Sequence, residues 1–123
     1  MKTVLVIDDD VEVRVLICTM LRRGGGYETV EAVDGPSGVD TFARGDFAAV
    51  VTDLIMPGQM GTETIKQLRA LDPDVPIIAV SGFGWDDSSP LIREALELGA
   101  NRTLGKPFQA HELISAIREL AGE

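Results

Sequence analysis

Asp8, Asp9 and Asp10 close the apolar run VLVI at positions 4–7, and Asp53 closes AAVVT at 48–52. Ser81 follows IIAV at 77–80, and Lys106 follows NRTLG at 101–105. Carboxylates brought within a few ångström repel, and raise one another's pKa, unless a cation neutralises them. Oxygen donors without clustered His or Cys suit Mg²⁺, with Mn²⁺ or Ca²⁺ as substitutes. Mg²⁺ takes one or two carboxylates, keeps waters and fills its remaining positions with phosphate oxygens. Lys106 and Ser81 have the positive charge and the hydrogen-bond donor that a tetrahedral phosphoryl group needs. A carboxylate can also be the nucleophile, forming an aspartyl phosphate. The bland alternative is that the acids cap a helix and solvate a strand end. Asp10 fits that role, but Asp8 and Asp9 exceed what a cap needs.

These groups converge only if the elements carrying them end on one rim. Short apolar runs predict strands at 3–7, about 29–33, 48–52, 76–81 and, weakly, 101–104. Val13, Leu16, Ile17, Met20 and Leu21 share one helical face after Asp10, with Arg22 and Arg23 complementing the dipole and Gly24 as the stop. A second helix has Pro36 in its first turn and Gly45 as its stop, and a third covers 62–71. A fourth is capped by Ser89, begins at Pro90 and ends at Gly99. Leu113, Ala116, Ile117, Leu120 and Ala121 stripe a fifth, for which Gln109 is a poor cap. Strict strand–helix alternation, with runs such as IIAV apolar on both faces, predicts a five-stranded parallel sheet. The expected class is α/β, doubly wound and flavodoxin-like, with helices on both faces. Functional groups then gather beyond the carboxyl ends of the strands.

Composition narrows the partners. The 123 residues suit one domain over 1–123, and 45% hydrophobic residues suffice for a core. No apolar run approaches a membrane span, and MKTVLVIDDD lacks signal-peptide architecture. Cys18 alone fits a reducing cytoplasm and reads as core. A formal net charge of −9 argues against nucleic-acid or anionic-membrane binding. The expected partner is cationic, apolar or another protein.

VLVIDDD, VVTDLIMPGQMG, IIAVSG and GKPF, in that order, make the chain resemble the receiver domain of two-component response regulators over essentially its whole length. The resemblance implies that Asp53 is the phosphoacceptor and that Asp8 and Asp9 hold Mg²⁺, with the Ile55 backbone carbonyl completing the shell. It implies that Ser81 is the switch hydroxyl and Lys106 the lysine paired with the phosphoryl group. Pro107 matches a proline whose peptide bond is typically cis, and Pro57 and Gly61 match turn residues after the acceptor. The phosphoryl donor would be a sensor histidine kinase or histidine phosphotransfer protein. The output would be a downstream protein bound on the face of the fourth helix, fifth strand and fifth helix. The family usually carries Tyr or Phe where NRTLGK has Thr103, so Phe83 and Trp85, just after Ser81, are alternative transmitters.

Other residues read more plainly. His111 is expected on the surface, Met56 and Met60 seal the acceptor loop, and Asp72 and Asp74 bracket a proline turn. Two further functions fit the residues less well. A small Mg²⁺-dependent aspartyl-phosphate phosphatase would need a cap or substrate pocket, and dehalogenase-like phosphatases carry their nucleophile after the first strand, whereas Asp53 follows the third. A flavodoxin-like cofactor binder would need a hydroxyl- and glycine-rich loop where the acids stand. The expectation is therefore a switch and not a turnover enzyme, either a single-domain regulator or a receiver from a hybrid kinase or larger regulator. Apolar Ile55 beside the acceptor is expected to lengthen the phosphoryl group's lifetime.

Overall fold

The two apolar periods alternate in space as they do along the chain. The computed structural model describes residues 2–56, 58–82 and 89–122. In order come β1 (Thr3–Ile7), α1 (Val11–Gly25), β2 (Glu28–Ala32), α2 (Gly35–Arg44), β3 (Ala49–Asp53), α3 (Gly61–Leu71), β4 (Ile77–Ser81), α4 (Pro90–Leu98), β5 (Arg102–Gly105) and α5 (Ala110–Ala121). Pro57, Phe83 and Trp85 lie outside the described residues.

The strands form one parallel sheet in the order β2-β1-β3-β4-β5. Alternate residues of each strand point to opposite faces, so the sheet feeds two cores. Leu5, Ile7, Val50, Ile77 and Ala79 pack with Ile65, Leu68 and Ile92 of α3 and α4. Val4, Val6, Val51, Ile78 and Val80 pack with Ile17 and Leu21 of α1 and Leu113 and Ile117 of α5. Every residue of β3 and β4 is buried, as expected of strands covered on both faces. β2 and β5 are the sheet edges and are partly exposed, which is why the apolar signal at 101–104 is weak.

Four local expectations are corrected. Helix α1 does not stop at Gly24 but continues through Gly25. Gly26, at φ +70°, turns left-handed and donates its N–H to the Arg22 carbonyl. A Cβ on Gly24 would meet the terminal Cδ1 of Ile114, which must shift to admit it. Leu16, assigned to the inner face of α1, is 54% exposed, and the buried residues are Ile17, Cys18 and Leu21. Ser89 precedes α4 without a side-chain capping bond. Gln109 is better served than expected, since Glu112 Oε1 accepts its N–H at 3.0 Å.

Nothing lies within 4 Å of a Cβ built on Gly26, so its φ alone disfavours a side chain. Gly26→Ala is therefore expected to cost about 1 kcal/mol, lowering the Tm by roughly 4 °C in a thermal melt.

The end of the sheet far from the acids is pinned by Arg69 of α3. Its guanidinium donates to the carbonyls of Asp72, Val75 and Gly99 and to Asn101 Oδ1, at 2.6–3.1 Å. Asp72 Oδ1 in turn accepts the N–H groups of Asp74 and Val75, making the proline turn expected there.

Candidate functional site: an acidic rim

The register places Ile7 beside Thr52 and Asp53 beside Val80, so β1, β3 and β4 end together. Asp8, Asp9, Asp53, Ser81 and Lys106 all stand at this rim.

Asp8 is 1% exposed. Its Oδ1 accepts the Asp10 N–H at 2.9 Å. Its Oδ2 is buried without a hydrogen-bond partner and lies 3.9 Å from Lys106 Nζ. Burial is the main reason its carboxyl is pushed up to about 6. The charges of Asp53 and Asp9 add to this, while the Asp10 N–H and Lys106 pull the other way.

Asp53 is held from two sides. Its Oδ1 accepts the N–H groups of Leu54 at 2.8 Å and Ile55 at 3.4 Å, and its Oδ2 lies 3.4 Å from Lys106 Nζ. Carboxylate oxygens of Asp8, Asp9 and Asp53 come within 4.8 Å of one another, with Asp9 exposed at the mouth. An orphaned buried oxygen within a cluster of hard donors fits a divalent cation of the Mg²⁺ kind. The Lys106 ammonium, 3.9 Å away, stands too far off to satisfy it.

The surrounding residues are arranged tightly. The Gly61 N–H donates to the Leu54 carbonyl at 2.8 Å, and a Cβ on Gly61 would collide with the Asp53 carbonyl. The start of α3 therefore rests directly on the main chain of Asp53. The Lys106–Pro107 peptide is cis, matching the resemblance. The Lys106 N–H donates to the Ser81 carbonyl at 3.1 Å.

Ser81 is 1% exposed, and its hydroxyl donates to the Leu104 carbonyl of β5 at a long 3.4 Å. Thr103 pairs with Ala79 on β5 and is half-buried. Ile55 is 50% exposed next to the acceptor. Met56 is buried in the core, whereas Met60, also expected to seal the acceptor loop, is 40% exposed at the start of α3. Cys18 is buried core and His111 is exposed, both as expected.

Sequence reasoning passed over Arg14, whose Nη1 donates to the Asp8 carbonyl at 2.8 Å. Its only signal is a basic residue one turn beyond the N-cap. Among the described residues, no helix is long and apolar enough to cross a membrane.

A family model for the response regulator receiver domain matches residues 4–118. Sensory transduction protein RegX3 of Mycolicibacterium smegmatis is 38% identical over 96% of this chain, which spans 50% of that relative. Chemotaxis protein CheY of Thermotoga maritima is 28% identical, with 98% of each chain covered. A CheY-like receiver domain protein from Methanospirillum hungatei superimposes with a TM-score of 0.90 at 25% identity, covering 99% of this chain and 94% of the other. The acidic rim, the lysine that reaches it and the β2-β1-β3-β4-β5 sheet that gathers them thus agree with the family match, and the chain belongs to the response regulator receiver domains of two-component systems.

Proposed function

We propose that Asp53 accepts a phosphoryl group from the phosphohistidine of a sensor histidine kinase or a histidine phosphotransfer protein. The observation that carries this reading is the buried, unpartnered Asp8 Oδ2 in a cluster with Asp9 and Asp53, under Lys106. Asp8, Asp9 and Asp53, with the Ile55 carbonyl, would hold Mg²⁺, which supplies positive charge for the phosphoryl oxygens. In the transfer an Asp53 oxygen forms a bond to phosphorus in line as the P–N bond breaks. The imidazole leaves with that electron pair. Lys106 balances the added negative charge, and Ser81 exchanges its long bond to Leu104 for a phosphoryl oxygen.

Chemistry of this kind needs positioning rather than turnover, so the domain acts as a switch and not as an enzyme with a released product. The phosphorylated state is read by a downstream protein on the face of α4, β5 and α5. The net charge of −9 supports a protein partner over nucleic acid or membrane, and a lone reduced cysteine, Cys18, fits a cytoplasmic setting.

With Mg²⁺ and acetyl phosphate, the chain is expected to gain one acyl phosphate and to hydrolyse no free phosphate esters. Catalytic turnover of such esters would instead favour the phosphatase reading. Ile55 bears on the lifetime of the product, since it lies two residues past Asp53 and its apolar side chain is half exposed at the rim. Ile55→Asn, which can orient a water there, is expected to speed loss of the phosphoryl group several-fold in a decay time course. An unchanged rate removes Ile55 from that role.

A further inference from the structure

Asp8 is fixed through its main chain as well as its carboxylate. Its N–H donates to the Ala32 carbonyl of β2 at 3.1 Å, and its carbonyl accepts from Arg14 Nη1 at 2.8 Å. Nε of the same guanidinium donates to Glu31 Oε1 at 2.8 Å. One side chain thus ties the first turns of α1 to the ends of both β1 and β2. Glu31 and Ala32 are consecutive, so β2 grips Asp8 from both sides of its backbone. The Arg14 side chain is 12% exposed and that of Glu31 is 41% exposed. Only a planar fork with fixed donor directions makes both bonds at once; a lysine ammonium does not.

We propose that Arg14, anchored by Glu31, is a positioning residue for the divalent cation, holding the Asp8 main chain so that its carboxylate stays beside those of Asp9 and Asp53. The inference rests on the metal reading above. It also runs against simple electrostatics. A fixed positive charge near an acidic cluster opposes a cation, so deleting it tightens binding if charge is all that matters. Deleting it weakens binding if Arg14 sets the geometry.

The test is calorimetric titration of Mg²⁺ into the wild type, Arg14→Gln, Arg14→Lys, Glu31→Gln and the Arg14→Gln/Glu31→Gln double variant at fixed ionic strength. Hydrogen exchange at the Asp8 and Asp10 amides is followed in the metal-free proteins. Arg14→Gln is expected to weaken Mg²⁺ binding about 10-fold or more, the usual effect of losing a group that orients a ligand. Arg14→Lys restores it only partly, and the double variant is no worse than Arg14→Gln. Both amides exchange faster in Arg14→Gln. Binding by Arg14→Gln that equals or exceeds that of the wild type overturns the proposal. Should that variant not fold, unchanged affinity in Arg14→Lys does so. A wild type that binds no Mg²⁺ at millimolar concentration brings down the metal reading itself, and the positioning role with it.

Discussion

Asp53→Asn is expected to take up no phosphoryl group where the wild type, given Mg²⁺ and acetyl phosphate, approaches one per chain. An amide lacks the charged oxygen that attacks phosphorus, so the change removes the nucleophile and little else. The amide oxygen can still accept the Leu54 N–H that Asp53 Oδ1 accepts at 2.8 Å, so the loop after β3 keeps its main anchor. Removing one of three crowded carboxylates also relieves repulsion, and the variant is expected to fold at least as well as the wild type. The loss should exceed about 100-fold in labelling rate, as for removal of a reacting group. Hydroxylamine-sensitive label is measured against far-UV circular dichroism as the folding control. Label retained at wild-type stoichiometry would place the acceptor at Asp8 or Asp9 and end the present assignment.

Asp8→Asn is expected to do two opposite things: stabilise the metal-free protein and weaken its hold on Mg²⁺. The folded state raises this carboxyl to about 6 from its ordinary 3.8, chiefly by burial. Between those pH values the folded chain keeps a proton that the unfolded chain has lost. Stability therefore falls as pH rises through about 4 to 6, and the whole penalty is present above the folded value. A gap of that size corresponds to roughly 2–3 kcal/mol. Urea melts with chelator present should show Asp8→Asn more stable than wild type by that amount at pH 7. The advantage should vanish near pH 4. With Mg²⁺ added the order reverses in binding, and Asp8→Asn loses at least about 10-fold in affinity, about 1.4 kcal/mol. Identical melts for the two proteins across this pH range would show that Asp8 bears no burial penalty.

Most of the frame is legible along the chain because it depends on local period. Five apolar runs and the helices between them require the alternation, and acids after two of the runs mark which end of the sheet matters. What escapes are features set by distant neighbours. Gly24 looks like a helix stop, yet α1 runs on past it with Ile114 of α5 lying alongside, and the left-handed turn comes at Gly26. Arg14 reads as an ordinary surface charge until β2 brings Glu31, 17 residues away, to its Nε. The direction of the Ser81 hydroxyl toward Leu104 depends on how β5 lies along β4, a pairing that spans 23 residues. Local pattern names the reactive groups, whereas their aim is settled by contacts across the sheet.

Arg69 gives the molecule a fixed end and a free one. It stitches the α3–β4 turn, the close of α4 and the approach to β5 into one knot at the opposite pole from the carboxylates. If β4 and α4 are displaced relative to β5, the four bonds of Arg69 resist that displacement at this pole more than at the other. If Ser81 is drawn toward a phosphoryl group on Asp53, the pull acts at the pole opposite Arg69, and the base of the domain need not shift for the rim to do so.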